Sequence, residues 1–134
     1  MNADAALLLI RIAVAMAFFF HGSGILFGLF GGPGPSEFAA EMHFPVVVGY
    51  LVGLAQVGGA IAVLTGILTR IGAACIAIVM LGAIFLVHLP HGFDIQKGGI
   101  EYPLTQLLIA LALLFAGAGR YSLTSTLPLS LRKF

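Results

Sequence analysis

The sequence predicts an all-α integral membrane protein, a four-helix bundle with antiparallel, up-and-down spans. Three observations predict it. Of the 134 residues 60% are hydrophobic and only 8% charged, with a mean hydropathy of +1.14, whereas about a quarter of a soluble domain is charged. Six Lys and Arg with five Asp and Glu cannot supply a polar skin for a globule of this length. Four apolar runs approach or exceed the roughly twenty residues that cross a hydrocarbon core at about 1.5 Å rise each. None alternates apolar with polar residues as a barrel strand does, and lipid cannot hydrogen-bond exposed backbone, so each run is expected to be a helix.

The first run, about 5–30, opens the chain with MNADAALLLIRIAVAMAFFF and ends in glycines. It lacks a basic leader and a small-residue cleavage site, so it is expected to be a retained helix and not a removed signal. GGPGPSEF (31–38) breaks it, and Ser36 offers a cap to a short amphipathic segment, SEFAAEMHF. Pro45 then opens the second run, 46–68. GILTR (66–70) is too short for anything but a hairpin into the third run, 71–89. Pro90 is expected to stop that helix, because its ring removes a backbone donor and constrains the preceding residue. The fourth run, 101–118, starts with Glu101 and Pro103 in the first turn and ends at AGAGRYSL. The whole chain, 1–134, is expected to form one membrane domain.

Basic residues set the orientation. Arg70, Arg120, Arg132 and Lys133 fall on the face that holds both termini, against Lys97 on the other. The positive-inside rule therefore places the termini in the cytoplasm, with the cell (inner) membrane as the location. Arg70 and Arg120 read as structural anchors of that face, and Arg11, two turns into the first helix, is expected to snorkel back to it. A net charge of +1 offers no patch for nucleic acid, so the expected partners are the bilayer and proteins in or beside it. Cys75, the single cysteine, excludes an internal disulfide and reads as a small buried apolar side chain.

Small residues prepare close helix contacts: Gly49, Gly53, Gln56 and Ala60 on one face of the second helix, and Gly24, Gly28 and Gly32 at four-residue spacing in the first. Strongly polar groups inside the spans need a partner or a purpose, because each costs about 2.5–3.5 kcal/mol on insertion scales. They are Arg11, His21, Gln56, His88, Glu101 and Gln106. The topology brings His21, Gln56, His88 and Glu101 toward the outer half, with Tyr102 and Tyr50 at the same surface. His21 suits a metal, a quinone carbonyl or a proton relay, since imidazole titrates near neutrality; equally, it suits an interhelical hydrogen bond to Gln56 or Glu101. His88 and His91 share the HLPH stretch, but Pro90 interrupts the helix that would align them, and no HExxH or paired ExxH motif supports a metal site. The candidate pocket is therefore His21, Gln56, His88, Glu101 and Tyr102, with no metal assigned.

The order and spacing of LLLIRIAVAMAFFFHGSGILFG (7–28), GYLVGLAQVGGAIAVLTGILTRIGA (49–73), VHLPHGF (87–93) and GGIEYPLTQLLIALALLFAGAGRYSL (98–123) resemble the DoxX family of small four-helix membrane proteins. The resemblance implies Arg11, His21, Arg70, His88, Glu101 and Arg120 as its characteristic polar positions. It also implies redox chemistry, since the related DoxD proteins form the membrane part of a thiosulfate:quinone oxidoreductase and DoxX proteins are linked to thiol and oxidative-stress systems. Two family positions, often a Lys after the HG histidine and a Glu in the second helix, are Ile25 and Gln56 here, and an Asp after RYSL is Thr124. Joint loss of both charges strands neither.

These features set the functional expectations. The first is a membrane subunit of a redox system, an oxidoreductase component whose pocket takes a quinone or a small sulfur compound. The second is a non-catalytic scaffold or assembly partner of an oxidoreductase. A channel or transporter comes third, because four short spans leave little room for a pore unless chains form a homo-oligomer.

Overall fold

The computed structural model describes residues 2–134. Helix α1 spans Ala3–Phe27, α2 Gly34–Glu41, α3 Val46–Thr65, α4 Thr69–Ala83 and α5 Glu101–Ala116. Among the described residues every regular element is helical. Three helices are long and apolar enough to cross a membrane: α1, α3, and α4 with its extension to His91. The fourth apolar run, α5, is shorter.

Glycines in left-handed backbone, more than composition, fix where helices stop. Gly28 (φ 67°) ends α1 at Phe27 and Gly66 (φ 80°) ends α3 at Thr65, each about three residues before the apolar run gives out. Gly66 also admits a tight reversal, since a Cβ there would run into Ser122 and Arg11. Ser36 caps nothing; it lies inside α2, whose N-cap is Pro33. Pro45 does open α3.

Packing is ordered along the chain: α1 against α3, α3 against α2 and α4, α4 against α5. Val14, Phe18, Val63, Ile76, Ala110 and Leu113 fill the shared core. The outward faces are equally apolar, with Met16 69%, Ile78 69% and Phe115 75% exposed. Water would penalise such a surface; lipid tails do not. Small residues permit the approach, as Gly59 and Gly72 bring α3 within contact of α4, and Gly22 lets α1 reach Gln56. The Gly24, Gly28, Gly32 series works differently from the stripe expected. Gly28 turns the chain and Gly32 folds back onto Gly24, so these glycines make a reversal of one strand of chain, not an interface between helices.

One end of the molecule gathers the N-terminus, the 66–68 turn and the segment after α5. Arg11 is its centre, and here the structure corrects the snorkelling expectation. The side chain is 1% exposed and turns inward, with Nε donating to Val63 O (2.7 Å), Nη1 to Ala118 O (2.8 Å) and Tyr121 O (2.6 Å), and Nη2 to Leu64 O (2.6 Å). The last carbonyls of α3 have no helical acceptor role left, and the guanidinium fork satisfies them while tying down the 118–121 loop. Arg70 Nη1 does the same for Leu114 O (2.8 Å) at the end of α5. Arg120 anchors through its main chain, whose N–H donates to Asp4 Oδ1 (2.9 Å), while its side chain is exposed. Thr124, where the family resemblance expects Asp, donates to Gly66 O (2.6 Å). Cys75 is only half-buried, not buried as expected.

Candidate functional site

The opposite end is built by α2, the N-terminal half of α3, the last turns of α4 and the 92–100 loop. Helix α4 does not simply stop before Pro90. Residues Ile84–His88 wind as a π turn, with Leu89 N–H donating to Ile84 O, and Leu89–His91 follow as a 3-10 turn. Pro90 explains the change: in a continued α-helix its ring would press on Leu86 O and its missing N–H would leave that carbonyl open. A wider turn relieves both, and such turns recur at functional sites.

The π turn delivers His88 to the 92–100 loop, where its Nδ1 lies 2.6 Å from Gly98 O. A carbonyl only accepts, so Nδ1 carries the proton and Nε2 of the neutral ring is left as an acceptor. The loop that holds it is itself fixed: Ile100 N donates to Gly92 O (2.9 Å), Glu101 N to Phe93 O (2.9 Å) and Ile95 N to Glu101 Oε2 (3.0 Å). His91 Nδ1 donates instead to Val87 O (3.1 Å) within the turn, so HLPH places its two rings on different partners.

Beside His88 lies a cavity of about 410 Å³ between α2, α3 and α4. Phe38, Met42, Val48, Val52 and Leu86 give it apolar walls, Gly82 and Ala83 leave it room, and Gln56 and His88 are its polar lining. Gln56 is 5% exposed, yet its Oε1 has no hydrogen-bond partner. A buried amide oxygen without a donor costs about 1–3 kcal/mol; Ser23 Oγ, Thr69 Oγ1 and Gln106 Oε1 are also without partners, but of these four Gln56 alone lines this cavity.

The five expected pocket residues separate into three groups. Gln56 and His88 share the cavity. His21 is exposed, packs edge-on against Phe20 at 5.4 Å, faces Tyr102 at 6.1 Å between ring centroids, and lines a different recess of about 370 Å³ with Ile25 and Phe30. Glu101 is spent on the loop, through Ile95 N. The hydrogen bond expected from His21 to Gln56 or Glu101 does not form: Gln56 Oε1 has no partner, and Glu101 accepts from Ile95 N. Tyr50, read as an interfacial aromatic, is 47% exposed. Among the described residues no three of His, Cys, Asp and Glu gather as a ligand set. Sequence reasoning missed Phe38 and Met42 as cavity walls and the π turn itself; Pro90 two residues after His88 was the available signal.

The DoxX family model matches residues 6–89, more than half of the chain, and that stretch contains α1 beyond its first three residues, α2 to α4 and both polar residues of the cavity. The chain belongs to the DoxX family. A relative from Bacillus subtilis (strain 168), named "Putative oxidoreductase CatD", is 28% identical over 111 residues, which cover 83% of this chain and 78% of the relative. No solved structure matches. As a DoxX protein with apolar transmembrane helices, the molecule is an integral membrane protein.

Proposed function

We propose that this DoxX protein is the membrane subunit of a redox system and that the cavity between α2, α3 and α4 receives a quinone or a small sulfur compound. One observation carries the reading: a deeply buried amide oxygen without a partner, Gln56 Oε1, on a residue lining a cavity that it shares with His88. The residues fit a quinone. A cavity of about 410 Å³ lies in the ordinary range for small-molecule pockets, with flat apolar walls for a ring and two polar groups for its oxygens. Bound there, a quinone would supply two-electron redox chemistry. The chain's own part is to orient and to handle protons: the Gln56 amide holds an oxygen by accepting from a hydroxyl or donating to a carbonyl, and His88 Nε2 takes up or returns a proton while Gly98 O fixes the ring through Nδ1. In this reading α1, α3, α4 and α5 form an antiparallel four-helix bundle and a single membrane domain. The arginine end faces the cytoplasm of an inner membrane, and the partner is a membrane or soluble oxidoreductase.

The second reading, a non-catalytic scaffold for an oxidoreductase, draws on Ile25 and Gln56, which leave both recesses without a carboxylate or an ammonium. Solvent extraction and mass spectrometry of the purified protein separate the two. A co-purifying quinone or persulfide that is lost in Gln56→Leu supports the pocket; a stoichiometric oxidoreductase subunit with an empty cavity supports the scaffold.

A further inference from the structure

The arginine end holds a second recess of a different chemistry, about 290 Å³, formed where the 116–119 glycine loop and the 122–134 tail meet the start of α4. Its lining includes Arg70, Arg132 and Lys133 and no Asp or Glu side chain. Asp4, an acidic residue on this side, accepts from Arg120 N. Helix α4 begins there without a side-chain cap and without an acidic residue in its first turn, so no side-chain charge answers the positive end of its dipole. Gly117 leaves Arg70 Nε and Nη2 facing the loop, with only Nη1 committed to Leu114 O. Independently, Thr69 lines the recess at 2% exposure, and its Oγ1 has no hydrogen-bond partner. One partner does reach the helix start: the main-chain oxygen of Phe134 accepts from Arg70 N at 2.6 Å.

We propose that this recess binds an oxyanion of the phosphate class, seated on the first turn of α4 between Thr69, Arg70, Arg132 and Lys133. Its chemistry follows from the donors. Backbone N–H groups at a helix start, a hydroxyl and three cations present donors from several directions, which suits a tetrahedral anion better than a planar carboxylate. Phe134 O occupies the place of one anion oxygen, and the bound anion displaces it. Such an anion reaches this end either as the headgroup of an anionic lipid or free in solution; basic recesses between transmembrane helices are known lipid-headgroup sites.

The full chain, purified in neutral detergent, would be titrated with phosphatidylglycerol, phosphatidylcholine and inorganic phosphate, read by native mass spectrometry and thermal unfolding. Selective retention of phosphatidylglycerol over phosphatidylcholine, weakened roughly tenfold in Arg132→Gln/Lys133→Gln, assigns a lipid headgroup. A thermal shift with inorganic phosphate alone, showing the same loss, assigns a free anion. Both substituted side chains are exposed, and the bonds lost are those of Arg132 Nε to Leu127 O (2.9 Å) and Nη2 to Ser125 O (2.9 Å) within the tail; Lys133→Gln alone, which removes no hydrogen bond, keeps the test clear of tail unfolding. Thr69→Val weakens either probe several-fold at unchanged melting temperature, because the hydroxyl it removes makes no bond in the free protein. Equal binding by wild type and the double variant, or no binding of either probe by wild type, overturns the proposal and leaves Phe134 O as the cap of α4.

Discussion

Of the buried polar side chains among the described residues, Arg11 at 1% and Gln56 at 5% exposure are the two largest, and the protein treats them in opposite ways. At the arginine end four carbonyls converge on one guanidinium, and a positive charge is held without any carboxylate among those four bonds. At the histidine end an amide oxygen faces no donor, beside an imidazole held through one nitrogen with the other left as an acceptor. Burial alone does not separate structure from function here; satisfaction does. A polar group whose hydrogen bonds are complete contributes to the fold, whereas one left incomplete beside a cavity marks a place where something else completes it.

The largest effect is expected where the comparison is most structural. Arg11→Met leaves the carbonyls of Val63, Leu64, Ala118 and Tyr121 without their donor; at about 1–3 kcal/mol for each orphaned group, with partial relaxation, the loss is on the order of 3 kcal/mol or more. Thermal unfolding in detergent reads it, and a melting temperature close to wild type would break the contrast at its stronger side. Gly66→Ala comes next, at about 2 kcal/mol, from a left-handed backbone and a Cβ driven into Ser122 and Arg11.

Pro90→Ala is expected to change stability by less than about 1 kcal/mol. With the ring gone and an N–H restored, the π turn can relax to α geometry, which rotates His88 away from Gly98 O and weakens ligand binding. Retained binding with an α-helical turn would show that the π turn is not what presents His88. The smallest stability effect belongs to Gln56→Leu. It removes a buried amide with an unbonded oxygen and substitutes an apolar side chain of similar size, so the melting temperature stays level or rises by up to about 1 kcal/mol of stability.

Apolar run length made the helices legible, and glycine and proline located the breaks. The ends shifted because a left-handed glycine at 28 or 66 stops a helix inside an apolar stretch, which hydropathy does not register. Arg11 was legible as a buried-charge problem but not in its solution. Its partners are main-chain carbonyls more than fifty residues away in sequence, and carbonyls carry no signature in side-chain pattern. The five candidate pocket residues do not gather around one cavity. Gln56 and His88 line one cavity between α3 and the end of α4, whereas Glu101, equally plausible from its charge, is consumed by the loop before it. His21 and Tyr102 approach each other, but at a separate recess. Which polar groups remain unpaired is a property of three-dimensional accounting, and only the fold discloses it.

The most direct test of the central claim is thermal unfolding of wild type and Gln56→Leu, each with and without a short-chain quinol. The account predicts that quinol at a hundred times its Kd stabilises wild type by about 2.7 kcal/mol, and that Gln56→Leu, at least as stable as wild type without ligand, does not respond. A Gln56→Leu protein that is markedly destabilised alone, or that responds to quinol as wild type does, would contradict it.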